Sequence, residues 1–301
     1  MRRVAIITDD PGWHGAQLRR AFKARGIEAR YLSLTQCRVD LAASPHGIVM
    51  AGFEPRLPDA VFVRGVPGGT LEQVVLRLDF LHLLGEIGIP VYNSARAIEK
   101  SVDKAMTSLL LKRAGVPTPA TWTTENPAEA RQILLRETAS GGELVIKPLF
   151  GSQGQGLRRL AAGDDIPGAD DYHGVWYLQR YIAAEPGQWR DWRVLVIGNA
   201  AVAAMVRRGR SWINNVAQGA RCERVELEEP MRRLALDAAR AVGMDYAGVD
   251  IMREADGRLQ VIEVNSIPAW KGLQGVTAFN IAERLVEDFV QRRRLPLEAV
   301  C

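Results

Sequence analysis

The spacing of apolar residues changes at about residue 120, and this change limits the folds open to the chain more than any other feature. Before it, short apolar runs such as "RVAIIT" and "AVFVRG" are typical of buried strands, and they alternate with helical patterns such as "HGAQLRRAFKARG" and "GTLEQVVLRLDFLHLLGEIG". Strands separated by helices indicate a parallel sheet. We therefore predict a small α/β domain over residues 1–92.

After this point the pattern indicates antiparallel hairpins. Two apolar runs flank Gly198-Asn199 in "RVLVIGNAAVAAMV", and Asp256-Gly257 lies in "VDIMREADGRLQVIEVN". Both dipeptides are signals of a two-residue hairpin turn. Between the hairpins we predict a helix over "EEPMRRLALDAARAVG", which ends at Gly243. These elements predict a second, α+β domain with antiparallel sheets.

A single long helix is predicted between the two domains, over "SARAIEKSVDKAMTSLLLKRAG". Ser94 is its candidate N-cap, and Gly115 followed by Pro117 ends it. Its apolar residues recur at a helical period: Ile98, Val102, Met106, Leu109 and Leu110.

Composition narrows the class of protein. The chain has 301 residues, 47% apolar and 25% charged, which is ordinary for soluble globular proteins. The net charge of +4 is dense only at residues 207–210 and 292–294, so we expect no nucleic-acid partner. Three cysteines form neither an even framework nor a metal-type pair, and no apolar stretch approaches the roughly 18 residues that span a bilayer. We expect a cytoplasmic protein without a membrane partner.

A glycine-rich segment, "LVIKPLFGSQGQGL" at residues 144–157, has the composition of a phosphate-binding loop. Gly151, Gly154 and Gly156 free the backbone to point amides at an anion, and Lys147 directly precedes the loop. The segment is neither a P-loop, which would need Lys and Ser or Thr where Leu157 and Arg158 stand, nor a dinucleotide-binding fingerprint. A phosphate loop and a plain hairpin turn both remain open, and Lys147 favours the former.

Two carboxylates and an amide are predicted to meet on the last hairpin. Glu263 and Asn265 are two residues apart on a strand and so project to one face, and the turn folds Asp250 back beside them. Carboxylate and amide oxygens suit Mg²⁺ or Mn²⁺. The alternative is a solvent-facing strand edge, but the flanking residues are almost all apolar, which favours buried acids that need a metal or a basic partner.

Taken together, these segments resemble the ATP-grasp ligases, and specifically the RimK-like α-L-glutamate ligases. The shared segments occur in order over nearly the whole chain and include "IKPLFGSQGQGL", "YLQRYI", "RDWRVLVIG", "WINNVAQGA", "AGVDIM" and "VIEVNSIPAWKGLQ". The resemblance implies an ATP-grasp fold in which two subdomains with antiparallel sheets clamp ATP. It places the first subdomain at residues 93–185, the second, with the magnesium site, at 186–291, and a tail at 292–301.

The resemblance also implies roles for individual residues. ATP phosphates would contact two lysines and a mobile lid at residues 151–156, adenine would bind backbone groups of a hinge at 179–182, and an acid would bind the ribose. The implied ATP-binding residues are Lys104, Lys147, Gly151, Ser152, Gln153, Gly154, Gly156, Gln179, Arg180, Tyr181, Ile182, Asp191 and Asn215. The implied metal ligands are Asp250, Glu263 and Asn265, and the implied catalytic residues are Lys147, Arg193 and Arg207.

Two positions depart from the family pattern. Arg180 stands where relatives often carry an acid, which a backbone contact to adenine tolerates. Ile213 stands where relatives often carry a basic or polar residue, so either Arg208 or Arg210 compensates or the acceptor pocket differs.

Three residues are candidate substrate contacts: Arg64, Arg208 and Asn214. Arg64 follows a strand at the carboxyl end of the parallel sheet, where α/β domains bind ligands, and a structural salt bridge is its alternative role. His14 is expected to begin a helix rather than to act as a base. Three tryptophans, Trp189, Trp192 and Trp212, are expected to pack in the core rather than to stack on a substrate.

The implied activity is ligation of a carboxylate to an amine, dependent on ATP and Mg²⁺, through an acyl phosphate. The expected substrates are L-glutamate or another amino acid and a carboxylate acceptor. The segment "NSIPAWKGLQ" favours the small-molecule branch and hence a pterin- or furan-type cofactor. The alternatives are a protein C-terminus as acceptor and a non-catalytic ATP-binding scaffold. A homo-oligomer is left open.

Overall fold

We describe a computed structural model that covers residues 2–42, 46–151, 154–183, 189–214 and 219–292. The chain packs as two compact units. The first comprises Met1–Ile98, Met244–Tyr246 and Ser266–Cys301, and the second comprises Glu99–Gly243 and Ala247–Asn265. The two units are defined by which residues pack together, and the domain boundaries predicted at residues 92, 185 and 291 stay a prediction.

The first unit contains the predicted parallel sheet, with strand order β2-β1-β5-β6. A helix connects β1 with β2 and another connects β5 with β6, whereas the connection from β2 to β5 contains a short antiparallel pair, β3 and β4, outside the sheet. In chain order the elements are β1 (Arg3–Ile7), α1 (Gly12–Lys23), β2 (Glu28–Leu32), β3 (Cys37–Val39), β4 (Ile48–Met50), β5 (Ala60–Val63), α2 (Leu71–Glu86), β6 (Val91–Tyr92) and α3 (Ala95–Val102). The α/β character predicted for this region is therefore present.

An aromatic cluster attaches the later segments of the first unit to its sheet. Phe62 of β5 lies 5.3 Å from Tyr92 and 5.4 Å from Tyr246, and the last two rings stack at 5.2 Å. The Tyr92 hydroxyl donates a 2.7 Å hydrogen bond to Asp288. Burial of such rings contributes much of the apolar area of a core, so residues distant in sequence join one unit.

Asn93 ties the same segments together through the backbone. Its amide nitrogen donates to the carbonyl oxygens of Tyr246, at 2.8 Å, and Ser266, at 2.7 Å. Its amide oxygen accepts from the N–H groups of Asp245, at 2.6 Å, and Tyr246, at 3.1 Å. Ser94 next to it accepts from the N–H of Ala97 at 3.2 Å, as expected of a helix cap. The sequence predicted the cap but not the role of Asn93.

The second unit consists of two sheets, ordered β7-β10-β8-β9 and β13-β12-β11-β14-β15. All pairs in the first sheet are antiparallel, and so are β13–β12, β12–β11 and β14–β15 in the second. In chain order its elements are α4 (Lys104–Arg113), β7 (Thr121–Thr124), α5 (Pro127–Thr138), β8 (Leu144–Lys147), β9 (Arg158–Leu160), β10 (Trp176–Arg180), β11 (Arg190–Ile197), β12 (Ala200–Arg208), β13 (Arg221–Arg224), α6 (Glu229–Val242), β14 (Tyr246–Arg253) and β15 (Leu259–Asn265). The change from parallel to antiparallel pairing occurs where the apolar pattern predicted it.

The single helix predicted from Ser94 to Gly115 is wrong, because Asp103 interrupts it. Asp103 has an extended backbone, and its carboxylate accepts from the N–H of Met106 at 2.9 Å, which begins a new helix at Lys104. The residues of the apolar period are also not all buried. Val102, Met106 and Leu109 are all exposed.

The two predicted hairpin turns differ in outcome. Gly198-Asn199 forms the predicted two-residue turn, with Ile197 opposite Ala200 and a positive φ at Gly198. The turn at Asp256-Gly257 is longer, because Glu254 pairs with Arg258 and leaves three residues between them. Gly257 there has a φ of +90°, which glycine adopts without strain.

Two short elements complete the described chain, α7 (Lys271–Gln274) and α8 (Ile281–Arg292). Helix α8 buries one apolar face within the first unit, including Leu285 and Phe289. None of the helices in the described ranges combines the length and apolar composition that crossing a bilayer requires.

Candidate functional site

The three predicted metal ligands lie together on the hairpin of β14 and β15. Asp250 pairs directly with Glu263, and Asn265 pairs with Gly248. A β-bulge on the turn side of the Asp250–Glu263 pair produces this register: the next pair is Ile251 with Val261, so Ile262 is the extra residue. Without it, Asp250 would face Ile262. The bulge therefore brings the two carboxylates opposite each other, and no residue pattern predicts it.

Asp250 is held by two arginines. Arg193 of β11 donates to both of its carboxylate oxygens through Nε and Nη2, the latter at 2.7 Å, and Arg207 of β12 lies 3.0 Å away. Burial alone would raise the pKa of Asp250, but the two guanidinium groups offset it, so the pKa lies below its usual value. Asp250 is therefore an ionised carboxylate inside the sheet.

Asp191 completes this arginine–carboxylate cluster. Asp191 of β11 lies opposite Arg207 of β12 and accepts two hydrogen bonds from that guanidinium, at 2.7 and 2.6 Å. Both side chains are buried. Burial raises the pKa of Asp191 to about 6, whereas the two carboxylates raise the pKa of Arg207. Asp191 thus lies in a charge network, and its assignment to the ribose stays a prediction.

The two predicted phosphate lysines occupy a different electrostatic environment. Lys104 begins α4 and donates from Nζ to the carbonyl oxygens of Leu149, at 3.4 Å, and Gly151, at 3.0 Å. Lys147 ends β8 and donates to the amide oxygen of Gln179 at 2.7 Å. Neutral oxygens therefore hold both ammonium groups.

The pKa values of both lysines reflect this environment. Burial lowers the pKa of Lys147 to about 8, although the nearby carboxylate of Glu263 acts in the opposite direction. Burial also lowers the pKa of Lys104, against the attraction of Glu263 and Asp103. A desolvated cation that has no carboxylate in hydrogen-bond contact is stabilised when an anion binds to it.

Gln179, predicted as part of the adenine hinge, orients Lys147. Its amide nitrogen donates to the hydroxyls of Thr121, at 3.1 Å, and Tyr177, at 3.2 Å, which leaves its oxygen directed at the lysine. The Tyr177 hydroxyl in turn lies 2.8 Å from that of Ser108. Thr121, Tyr177 and Ser108 were not predicted, because polar residues dispersed over three elements carry no local sequence signal.

The rest of the predicted hinge offers fewer backbone groups than expected. The N–H of Arg180 donates to Ala120 at 2.8 Å and that of Tyr181 to Glu143 at 2.9 Å. The Arg180 side chain is exposed and pairs with Glu137 at 2.6 Å. Because these two N–H groups already have partners, the predicted backbone contacts to adenine would have to come from other groups of the segment, such as the N–H of Ile182.

The glycine-rich segment connects β8 with the returning strand β9, so it also forms a hairpin connection. Gly151, Gly154 and Gly156 all have positive φ values. At Gly156 a Cβ would lie 2.6 Å from the ring of Pro148, so a side chain is excluded there. The predicted contacts Ser152 and Gln153 lie outside the described residues.

Two of the three candidate substrate contacts, Arg208 and Asn214, belong to the second unit, and Arg64 belongs to the first. Arg208, at the end of β12, pairs with Glu223 at 2.7 Å and is exposed. Asn214 has a buried amide oxygen without a hydrogen-bond partner among the residues that the structure covers. Its predicted neighbour at the nucleotide, Asn215, is outside the described ranges.

The donor set on the hairpin fits Mg²⁺. It consists of oxygen atoms only, from two carboxylates and one amide, and Asn265 keeps its amide nitrogen on the carbonyl of Gly248 at 3.3 Å, which directs the amide oxygen away from that strand. Within the described ranges, no three His, Cys, Asp or Glu side chains form a group that could hold a metal ion.

Two family models together match nearly the whole chain. Residues 2–98 match the model of the RimK PreATP-grasp domain, and residues 101–289 match that of the RimK-like ATP-grasp domain. The tetrahydromethanopterin:α-L-glutamate ligase of Methanococcus maripaludis is 30% identical over 298 residues, which cover 95% of this chain and 97% of that protein. The ligase of the same name from Methanocaldococcus jannaschii is 36% identical over 241 residues, 77% of this chain and 79% of its own.

A solved structure supports the same fold. The ATP-grasp ligase PsnB, complexed with a phosphomimetic variant of its minimal precursor, Mg and ADP, has a TM-score of 0.73 and 24% identity, covering 96% of this chain and 98% of PsnB. The predicted ATP-grasp fold with a preceding α/β domain is confirmed. Because the RimK-like model alone matches more than half of the residues, the chain belongs to the RimK-like ATP-grasp family of ADP-forming ligases.

Proposed function

We propose that the protein joins L-glutamate to a carboxylate of a small-molecule acceptor of the pterin or furan type. The observation that carries this proposal is the match, over 95% of the chain, to a ligase named for tetrahydromethanopterin and L-glutamate. PsnB has been solved in complex with a precursor peptide, but at 24% identity its likeness bears on the fold alone. A small acceptor is therefore better supported than a protein C-terminus.

The reaction proceeds in two steps. An acceptor carboxylate oxygen attacks the γ-phosphorus of ATP and ADP leaves, which gives an acyl phosphate. The amine of glutamate then attacks the acyl carbon, the amide forms and inorganic phosphate leaves. The first step brings two anions together, so the enzyme must supply positive charge rather than a covalent intermediate.

Lys104 and Lys147 supply that charge to the phosphates of ATP. Both ammonium groups are withdrawn from water and bonded to neutral oxygens, so phosphate oxygens can replace those partners without breaking an ion pair. Gln179 fixes the position of Lys147 and so favours one geometry of the phosphates.

Arg193 contacts the reacting carboxylate, and Arg207 is a positioning residue. The side chain of Arg193 is 13% exposed and that of Arg207 only 6%, so Arg193 is the one nearer to solvent. Arg207 lies between Asp191 and Asp250 and holds both in place. The two arginines, both predicted as catalytic from the sequence, therefore have different proposed roles.

Asp250, Glu263 and Asn265 would hold Mg²⁺ or Mn²⁺, which neutralises phosphate charge when bound. Glu263 has no cation within ion-pair distance among the described residues, so its carboxylate is the one that most needs such a partner. The Gly151–Gly156 segment closes over the phosphates and keeps water from the acyl phosphate.

Product analysis tests the proposal. With ATP, Mg²⁺, L-glutamate and tetrahydromethanopterin, the purified protein should release ADP and phosphate and add one glutamate residue to the acceptor, seen by mass spectrometry. Formation of AMP and pyrophosphate would refute the acyl-phosphate mechanism. ADP formation with a peptide ending in a free carboxylate, but not with the pterin, would refute the small-molecule acceptor.

A further inference from the structure

Arg64 at the end of β5 is a half-buried arginine held by neutral groups. Its guanidinium lies 5.0 Å over the ring of Trp270, and Nη1 donates to the carbonyl oxygen of Ile267 at 3.3 Å. Its Nε is buried and has no hydrogen-bond partner in the part of the chain that the structure describes. The side chain as a whole is only partly buried, so a ligand can reach part of it.

His14 also packs against Trp270, and Lys271 follows Trp270 in the chain. His14 lies 4.6 Å from Trp270, ring to ring, and its Nε2 accepts from the N–H groups of Trp270, at 3.1 Å, and Lys271, at 3.2 Å. Burial, together with the positive charges of Arg64 and Lys271, lowers the pKa of His14 to about 4, although Asp10 acts in the opposite direction. His14 is therefore a neutral ring in a positively charged surrounding, and it fixes the start of α7.

The second unit shows what arginines of this kind do when a carboxylate is at hand. Arg193 and Arg207 each direct the edge formed by Nε and Nη2 at both oxygens of one aspartate. That edge is the one that matches a carboxylate in a bidentate pair. Arg64 has no Asp or Glu within ion-pair distance in the described ranges, so the structural salt bridge considered as its alternative role finds no support.

We infer that Arg64, on the face of Trp270, forms a subsite for a carboxylate group of one of the two substrates. The inference rests on the proposed function, since it assigns a recognition site to a substrate of that reaction. A desolvated guanidinium without its own carboxylate gains a charge-assisted pair when an anionic ligand binds. The aromatic ring fixes the plane of the guanidinium and so the direction from which the carboxylate approaches.

Calorimetric titration in the absence of ATP and Mg²⁺ tests the subsite directly. The ligands are L-glutamate, tetrahydromethanopterin and succinate, with succinamide as an uncharged control for succinate. The proteins are the unchanged chain, Arg64→Met, Arg64→Lys, and the matched control Arg19→Ala. Arg19 is also an arginine of the first unit over an aromatic ring, 5.1 Å from Tyr31, but it is exposed on α1. Thermal unfolding of each variant establishes that it is folded.

The expected result is that at least one carboxylate ligand binds the unchanged protein and the Arg19→Ala variant equally. Its affinity falls about tenfold or more in Arg64→Met, equivalent to about 1.4 kcal/mol, and falls less in Arg64→Lys, which keeps the charge but not the fork. Dependence on Arg64 with glutamate assigns the subsite to the amino acid, and dependence with tetrahydromethanopterin assigns it to the acceptor.

Two outcomes separate this inference from the proposed function. Arg64-dependent binding of succinate alone would support the carboxylate subsite while counting against both proposed substrates. Binding of no carboxylate ligand, equal affinities in Arg64→Met, or equal binding of succinamide would overturn the subsite, even if ADP release with glutamate and the pterin supports the proposed reaction.

Discussion

Arg207 in the second unit and Arg64 in the first are both arginines withdrawn from water, yet their partners are opposite in kind. Arg207 lies between two buried carboxylates, Asp191 and Asp250, and its charge is compensated inside the protein. Arg64 has an aromatic face and one backbone carbonyl. The difference shows that one arginine is compensated by carboxylates of the protein and the other by neutral groups.

The same contrast applies to the acids and the lysines of the second unit. Asp250 is bonded to two arginines, whereas Glu263 opposite it has no cation at ion-pair distance among the described residues. Lys147 is bonded to an amide oxygen rather than to a carboxylate. We therefore expect replacement of Arg207 to affect stability most, and replacement of Glu263 or Lys147 to affect turnover or binding most.

Replacing Arg207 should have the largest effect on stability. Arg207→Met leaves two buried carboxylates without their shared partner, and we expect the free energy of unfolding to fall by about 3–5 kcal/mol. Urea denaturation measures the loss. Arg208→Met is the matched control on the same strand: its exposed pair with Glu223 should contribute only about 0–1 kcal/mol. Equal losses in the two variants would contradict the contrast.

Replacing Glu263 should separate turnover from stability. Glu263→Gln removes a proposed metal ligand but breaks no ion pair of the described chain, so we expect turnover to fall at least ~100-fold while the urea midpoint stays nearly unchanged. Steady-state release of ADP measures the effect. Glu254→Gln serves as the control, because Glu254 pairs with Arg258 near the turn of the same hairpin. Full activity of Glu263→Gln would refute its assignment to the metal.

Replacing Lys147 should weaken nucleotide binding without a large cost in stability. Lys147→Met keeps the length of the side chain but removes the charge next to the proposed phosphates, and we expect ATP to bind about tenfold more weakly. Titration with a non-hydrolysable ATP analogue measures the affinity. Because the variant leaves Gln179 unaltered, an unchanged affinity for the analogue would show that Lys147 does not contact the nucleotide.

The smallest expected effect concerns His14 and depends on pH. Its pKa of about 4 in the folded protein lies below the usual 6.5, so the unfolded chain binds more protons between these values. Stability contributed by neutral His14 is present above pH 6.5 and is lost as the pH falls towards 4. Because the ring is half-exposed, we expect a loss on the order of 1 kcal/mol or less.

His14→Gln retains an oxygen that can accept from the N–H groups of Trp270 and Lys271 but cannot be protonated in this range. The unfolding free energy of this variant should therefore depend less on pH between 6.5 and 4 than that of the unchanged protein. Urea denaturation at several pH values makes the comparison. The same pH dependence in both proteins would show that His14 is not the group responsible.

The division of the fold into a parallel and an antiparallel part could be predicted because hydrophobic periodicity is a local property. The helix over residues 94–115 could not, because its apolar period continues through Asp103, and only the hydrogen bond from Met106 to that carboxylate reveals the break. Lys104 thereby becomes the first residue of a helix, where partial positive charge also favours an anion.

The candidate site was predictable to the extent that its residues occur in short motifs. Asp250, Glu263 and Asn265 meet as expected, and Lys147 lies next to the glycine loop. The pairing of Asp191 with Arg207 depends on the register between two strands, which the sequence does not state. Roles set by register and by long-range contacts need coordinates, whereas roles set by motif do not.

The extra residue Ile262 also determines where the last hairpin can change in length. If Ile262 were deleted, the ladder would become regular and Asp250 would still lie opposite Glu263. The reason is that Glu263 would then directly follow Val261, which pairs with Ile251. Loss of Val264 instead would turn Asn265 to the other face. A homologue one residue shorter at the bulge can therefore keep Asp250, Glu263 and Asn265 on one face, and an alignment gap at that position does not mean that these side chains have separated.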